Sequence, residues 1–529
     1  MNNYRALLEP DQRLVSIQDW LNQSETYAQI YLDHELKHKA VDKPATHEPA
    51  FWIQVGLNLA EPLAAITCRS KKQGCQPIKL LIIDPNPPSK VQVQSILDEL
   101  KNNGEHDWAT YLEPWLPAWP MRSPGLHRAK PAGLNVEVFF WFGDILEGLR
   151  ATRGCSSLVL SDAIRITQTF EIHAVARLCA PDARLHLAGI PASLLPTLGY
   201  AGIKQEARST GSASGGRTFR LSKKSTDTRT VKQPANVAVI GAGIAGTTVA
   251  RRLCQAGIRV TLFDSGNGPA QGASGNWAGS FHPHITRDHT ILSRLSHLGC
   301  EYTASSLQEL TYAGLLRKGA DWDLPGHLQS ISSDKLDQFR DSVQKLRPDP
   351  SWFKWCEQGD AFKGSPPGLW FPLGGWVKPV RWVQANLQAC GDLLTEQYGH
   401  CLDTVPEGFD AVVVACAQNS LSLASAPGYR ANQVKGQISR YRKKMKLPCV
   451  LSGLSYAIDA NEDWLLLGAT YERPVLNLDP TIQADQENLQ KFQLAHPHQP
   501  VGEWLDSRCA VRSVWPDRLP AVGKVYGQS

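Results

Sequence analysis

The sequence predicts an α/β chain built from two mostly parallel, doubly wound sheets in tandem. Three observations predict it. The 529 residues are too many for one ordinary domain. The first half alternates short β-branched or aromatic runs with helical stripes, the pattern of a parallel sheet covered on both faces. The second half opens on a glycine-rich turn set between a strand and a helix. A content of 42% hydrophobic and 20% charged residues supplies material for packed cores, and excludes collagen-like, coiled-coil and wholly disordered chains.

In chain order, runs at 51–55, 79–84, 136–142 and 158–160 read as strands. Between the second and third, Ser89 is placed to cap a helix whose Val93, Ile96, Leu97 and Leu100 share one face. Ile172, Val175, Ala176 and Cys179 make a second such stripe. A composition break at 208–233, rich in Ser, Thr, Gly and Lys, divides the halves. Residues 215–221 read as the last edge strand of a first domain, 1–221. Residues 222–234 then form a linker to a second domain, 235–529. There, 236–240 is an apolar strand, 241–246 a tight turn, and Ala245, Val249, Leu253 and Ala256 a helix stripe. Gly257 sits where a helix ends, and 259–263 is a strand leading into Asp264.

The 55 basic and 50 acidic residues leave a net charge of +5, weak evidence for a polyanionic partner over this length. Twelve scattered cysteines without a CxxC or paired Cys/His spacing argue against a zinc site and read as reduced core residues. No apolar run approaches the roughly 18–20 residues of a membrane span. MNNYRALLEPDQRLVS has no apolar stretch behind a basic cap, so no secretory signal is visible. The expectation is a cytoplasmic protein, monomeric, with neither metal nor membrane.

A lone GxGxxG occurs often by chance. Here a strand precedes it, a helix follows it, and an acid ends the next strand, which together make a dinucleotide-binding βαβ unit. Gly241 allows the turn, Gly243 lets backbone approach a pyrophosphate, and Gly246 lets the helix pack on the strand. The helix N-terminus offers free N–H groups and partial positive charge to the phosphates. Asp264 can accept hydrogen bonds from an adenosine ribose, and its charge disfavours a 2′-phosphate. After the second strand, the small polar loop 272–276, with Ala273, Ser274 and Asn276, is suited to wrap the same pyrophosphate.

Six segments in order across 236–523 carry a resemblance: VAVIGAGIAGTTVARRL, GASGNWAGSFHPHI, FPLGGWVKPVRW, QVKGQISRY, GATYERP and AVRSVWPDRLPAVG. They resemble flavin-dependent amine oxidoreductases of the D-amino-acid and glycine oxidase type. More closely, they resemble the MnmC family of bifunctional tRNA 5-methylaminomethyl-2-thiouridine biosynthesis proteins. PWLPAWPMRSPGLHR and FWFGDILEGL resemble that family's N-terminal methyltransferase domain. The fold implied is a Rossmann-like methyltransferase followed by an FAD-binding Rossmann domain with an inserted α+β substrate domain of the glycine oxidase type.

The resemblance implies FAD-dependent oxidation of the carboxymethylaminomethyl group on uridine 34 of a tRNA anticodon. A hydride passes from the carbon between amine and carboxylate to the flavin, and the imine hydrolyses to aminomethyluridine and glyoxylate. Arg512 is the implied carboxylate clamp, since a guanidinium holds a carboxylate with two parallel bonds. An arginine paired with an acid at a domain seam is the alternative. No general base is assigned. The first domain would then methylate the amine with S-adenosylmethionine, using Gly56, Asp84 and Asp144 for the cofactor and Asp162 beside the reacting amine.

The sequence departs from the family's pattern in four places. Its three-glycine loop is reduced to Gly56, and Asp162 stands in a shortened motif, which predicts a weakened or inactive methyltransferase. ACAQ at 415–418 replaces an Ala-Asn-Gly-type turn, and relatives continue past Leu519-Pro-Ala-Val-Gly523 into a glycine-rich turn and final helix over the flavin. Weak flavin binding is therefore expected. Two other readings stay open: a non-catalytic tRNA-binding remnant, and a small-molecule FAD amine oxidase. The basic run RYRKKMK at 440–446, and Lys223, Lys224, Arg229 and Lys232, could touch tRNA phosphates but read better as solvated surface. His282 and His284 either line the site's mouth or are structural, and Trp352 and Trp355 either stack bases or fill a core.

Overall fold

The computed structural model describes residues 50–524 other than 56–77, 86, 105, 132, 135, 153–155, 162–165, 167, 188–189, 207–216, 223–233, 287–289, 347, 425–429 and 498. The chain divides into two compact units, Met1–Arg229 with Arg347–Asp349, and Thr230–Leu346 with Pro350–Ser529. Most of the expected linker, 223–233, lies outside the described residues.

The first unit holds one eight-stranded sheet. Its strands are β1 (Ala50–Val55), β2 (Ile78–Asp84), β3 (Gly125–Ala129), β4 (Val136–Phe142), β5 (Ser156–Ser161), β6 (Cys179–Leu187), β7 (Ile203–Gln205) and β8 (Arg217–Leu221), in the order β3-β4-β2-β1-β5-β6-β8-β7. The five central strands are parallel, and β3, β8 and β7 join antiparallel. Alternate residues of β2 enter two cores: Ile78, Leu80 and Ile82 on one face, Leu81 and Ile83 on the other. That is why the strand reads as a continuous apolar run. Helix Lys90–Asn102 opens with the reciprocal Ser89–Gln92 capping box and buries Val93, Leu97 and Leu100.

Two expectations are corrected here. The strand near 215–221 is not the edge, because β7 pairs outside it. Cys179 does not extend the second helical stripe. Helix Thr169–Leu178 ends before it, and Cys179 turns extended to start β6, in the same core as Ile172 and Val175.

The second unit's chain enters a parallel sheet, leaves it and returns. β9 (Asn236–Ile240) and β10 (Arg259–Asp264) come first. β11 (Gly279–Phe281), β12 (Trp322–Asp323), β13 (His327–Ser330), β14 (Lys354–Cys356), β15 (Gly368–Phe371) and β16 (Gly375–Val377) then build other sheets. β17 (Leu394–Tyr398) and β18 (Ala411–Val414) return to complete the order β17-β10-β9-β18, all parallel. Last come β19 (Asn432–Lys443), β20 (Val450–Ser452), β21 (Tyr456–Ile458), β22 (Trp464–Gly468) and β23 (Val501–Val514), which join β13–β15 in the eight-stranded sheet β14-β15-β13-β20-β21-β22-β19-β23. This is a Rossmann sheet with an inserted, largely antiparallel second layer.

Helix Ile244–Gln255 crosses from β9 to β10 and ends in a Schellman turn. Gly257 at φ +79 bonds back to Cys254, and the Ile258 N–H reaches the Leu253 carbonyl at 3.1 Å. Its buried face is Gly246, Thr247, Ala250, Arg251 and Cys254, with Val249 and Leu253 half-buried, while Ala245 and Ala256 are exposed. The stripe read from sequence is thus rotated by about one position. The reason is that the helix is covered on two sides: Asn386 of helix Pro379–Gln388 donates to Thr247 and Thr248 on the side away from the sheet. Among the described residues no helix is long and apolar enough to cross a membrane, and no cluster of three candidate metal ligands occurs.

Candidate active site

Strand order in the parallel sheet reverses at β9, with β10 on one side and β18 on the other. The crevice beyond the carboxyl ends of such strands is where dinucleotides bind. Gly241 opens it. Its φ is +109, its N–H donates to the Phe263 carbonyl at 2.7 Å, and an added Cβ would stand 2.4 Å from the Ala415 oxygen. At Gly246 a Cβ would fall 1.8 Å from the Gly241 oxygen, so only glycine lets the helix settle on the turn. Gly243 is the extended N-cap residue and makes no side-chain cap bond. A Cβ there would stand 3.0 Å from Ser274 Oγ, which accepts the Ile244 N–H at 3.0 Å. The start of the helix and the 272–276 loop therefore face one another. Asp264 accepts the Ala242 N–H at 2.7 Å and the Gly266 N–H at 2.8 Å, one on each oxygen. Each oxygen keeps a lone pair for a further donor.

Arg508 pins the loop, a role that reading the sequence missed. From β23 its Nη2 donates to the Gln271 and Gly272 carbonyls at 3.2 and 3.0 Å, and its Nε to Asn276 Oδ1 at 3.3 Å. The available signal was spacing: Arg508 and Arg512 lie four apart on a strand and so share a face. The β19–β23 register pairs Val434 with Arg512, Ile438 with Arg508 and Arg440 with Asp506, which puts these six on one side of the sheet. On that side Ile438 packs with Ala278 and Trp277, just past the loop.

Arg512 sits on this face with its Nη1 donating to the Tyr471 hydroxyl at 3.1 Å and its guanidinium 5.3 Å from that ring's centre. No acid pairs with it in the described structure, unlike Arg440, which bonds Asp506 and stacks 4.0 Å over Trp277. The Tyr456 phenol beside it is pushed up to about 12 by burial, with Arg512 pulling the other way. It remains a neutral O–H donor at any physiological pH.

Other sequence candidates are absorbed by packing. His282 lies 4.0 Å from the His327 ring and 5.1 Å from Phe371. Burial lowers both imidazoles, His327 well below its ordinary value. In the basic run, Arg440, Arg442 and Lys443 pair with Asp506, Glu503 and Asp459. Trp352 is buried and stacks on His297 at 4.9 Å, and Trp355 lies under Arg340. Lys223, Lys224, Arg229 and Lys232 lie outside the described residues.

A family profile described as FAD dependent oxidoreductase matches residues 236–528. The tRNA 5-methylaminomethyl-2-thiouridine biosynthesis bifunctional protein MnmC of Cupriavidus necator is 30% identical over 77% of this chain and 69% of its own length. The protein of that name from Azoarcus sp. (strain BH72) is 29% identical, with the same coverage. This chain belongs to the MnmC family, with an FAD-dependent oxidoreductase domain. Among solved structures, glycine oxidase from Geobacillus kaustophilus matches 55% of this chain and 85% of its own at 18% identity and a TM-score of 0.48.

In this chain's first unit, the four sequence candidates divide evenly. Strand order reverses at β1, and Val55 and Ser161, paired in register, end β1 and β5 at that switch point. Gly56 and Asp162, the next residues in sequence, lie outside the described residues. Asp84 ends β2 and is buried. Asp144 is the N-cap of helix Ile145–Ala151, its carboxylate accepting the Glu147 N–H at 2.8 Å.

Proposed function

We propose that the protein modifies the wobble uridine of tRNA. It oxidatively removes the carboxymethyl group from 5-carboxymethylaminomethyl-(2-thio)uridine to give the 5-aminomethyl form, which its first unit then methylates with S-adenosylmethionine. The observation that carries this reading is the coupling of a built pyrophosphate turn to Arg512 through one strand, β23, whose Arg508 fixes the loop opposite that turn.

The residues fit the dinucleotide of FAD. Gly241, Gly243 and Gly246 would hold the pyrophosphate at the helix N-terminus, Ala273, Ser274 and Asn276 would close over it, and Asp264 would take the ribose hydroxyls with its remaining lone pairs. FAD, when bound, supplies the two-electron acceptor for the C–N bond. The chain's own part is to bind and orient. Arg512 holds the substrate carboxylate through two of its five N–H donors. The half-buried Tyr456, a neutral phenol that interacts electrostatically with Arg512, is a further donor for that carboxylate. The relatives' printed name, which speaks of tRNA 5-methylaminomethyl-2-thiouridine biosynthesis, supports the choice of substrate.

The proposed domains are 1–221, 222–234 as linker, and 235–529. In the first, Asp84 and Asp144 lie at the carboxyl ends of adjacent parallel strands, where a nucleoside cofactor belongs. Asp144 is already engaged as a helix cap. We take methyl transfer as the weaker activity. Nucleoside mass spectrometry of tRNA from cells lacking the gene tests both steps. Accumulated carboxymethylaminomethyluridine supports a working oxidase, accumulated aminomethyluridine alone supports methyl transfer only, and an unchanged profile contradicts the proposal.

A further inference from the structure

Tyr471 is a large aromatic side chain, 69% exposed, in direct contact with the arginine proposed to hold the substrate's carboxylate. Its position is fixed from both sides. The preceding Thr470 is buried and pairs with Gln437 of β19: its N–H donates to the Gln437 carbonyl at 3.2 Å, and its hydroxyl oxygen accepts the Gln437 N–H at 3.1 Å. The following Glu472 forms a β-bridge with Lys435, its N–H reaching the Lys435 carbonyl at 2.9 Å, and its carboxylate lies 3.2 Å from the Lys435 ammonium. The segment thus hangs on β19 while the phenol ring stands in solvent.

A small free amino acid such as glycine presents no flat ring that an exposed aromatic beside its carboxylate anchor could stack on. A substrate that is the side arm of a flat base does. In the carboxymethylaminomethyl group, four bonds separate the carboxylate carbon from the pyrimidine, a span of about 5 Å because each ~1.5 Å bond advances an extended zigzag chain by only about 1.25 Å. The Arg512 guanidinium carbon lies 5.3 Å from the Tyr471 ring centre. With the carboxylate on Arg512, the pyrimidine comes within reach of that ring. The guanidinium has donors enough to keep the Tyr471 hydroxyl and take a carboxylate together.

We infer that Tyr471 is a specificity-determining residue, a stacking platform for the pyrimidine of the nucleotide whose side arm Arg512 holds. The inference rests on the proposed function. Stacking of a base on an aromatic ring tolerates any ring of similar size, whereas a hydroxyl contact does not.

The test uses the full, flavin-loaded chain, with two readouts: kinetics on tRNA carrying 5-carboxymethylaminomethyluridine, and anisotropy of a labelled anticodon stem-loop carrying that nucleoside. Tyr471→Ala and Tyr471→Leu are expected to raise KM and Kd roughly ten- to a hundredfold with kcat nearly unchanged. Tyr471→Phe and Tyr471→Trp stay near the wild type. The bound-flavin spectrum checks that each variant is folded. If Tyr471→Phe is as impaired as Tyr471→Ala, the hydroxyl serves only to position Arg512 and the inference is overturned. If Tyr471→Ala and Tyr471→Leu match an active wild type, the inference alone fails. A yellow wild-type protein silent on this tRNA overturns the underlying reading and the inference with it.

Discussion

Ala417 carries its backbone at φ +51, in the left-handed region where a Cβ crowds the next carbonyl. It stands in the ACAQ turn that follows β18, against the main chain of Gly241. The family resemblance puts glycine at this position. Ala417→Gly is therefore expected to stabilise the protein by about 0.5–1 kcal/mol, read as a higher urea midpoint with unchanged slope. At this scale the three fingerprint glycines were legible in sequence because a main-chain approach admits one residue type. Asp264 was legible only in part. Its place at a strand end follows from the pattern, but its two backbone hydrogen bonds depend on how the turns at 242 and 266 fold around it.

The element that organises the candidate site is β23. One of its faces sends Asp506 to Arg440, Arg508 to the loop and Arg512 to the proposed substrate, at alternating positions of a single strand. Arg508 addresses acceptors on three residues with a planar fork, which an ammonium cannot copy. Arg508→Lys is expected to weaken flavin binding by about 2 kcal/mol, roughly thirtyfold in Kd, in a fluorescence titration of the apoprotein. Strand existence was read correctly for β1, β2, β4, β5, β9 and β10, where β-branched, aromatic and other apolar residues cluster in short runs. The turn of helix Ile244–Gln255 was misread because two layers cover it, so its buried face is wide and includes Thr247 and Arg251. Arg508 escaped notice because its partners are main-chain carbonyls 236 residues and more away, and sequence carries no pattern for such contacts.

At the scale of the whole molecule, buried histidines lower stability as the pH falls. Burial holds the His496 imidazole at about 4, and its Nε2 has no hydrogen-bond partner among the described residues. An unfolded imidazole titrates near ~6.5. Between those values the unfolded chain binds a proton that the folded chain refuses. The stabilisation is complete above the higher value and is lost as pH falls through the lower, at about 1.4 kcal/mol per pH unit for one group. His327, lowered further, acts with the same sign. His496→Phe, which fills the same space against Phe492, is expected to flatten the decline in stability between pH 6.5 and 4 by about one proton's worth, measured by urea unfolding at each pH.

The alternation of strands and helices that gives the α/β class was legible in the sequence. The inserted second layer was reached only through the family resemblance, since its short strands pair across long sequence gaps, β13 with β20 among them. The function proposed for the whole turns on what the flavin-bearing unit oxidises. The direct measurement is glyoxylate release by the FAD-reconstituted protein, from tRNA carrying 5-carboxymethylaminomethyluridine and, separately, from free glycine and sarcosine. The account predicts glyoxylate in step with new aminomethyluridine from the tRNA and next to none from the free amino acids. A flavin-loaded protein that releases none from the tRNA, or releases it equally well from glycine, would contradict it.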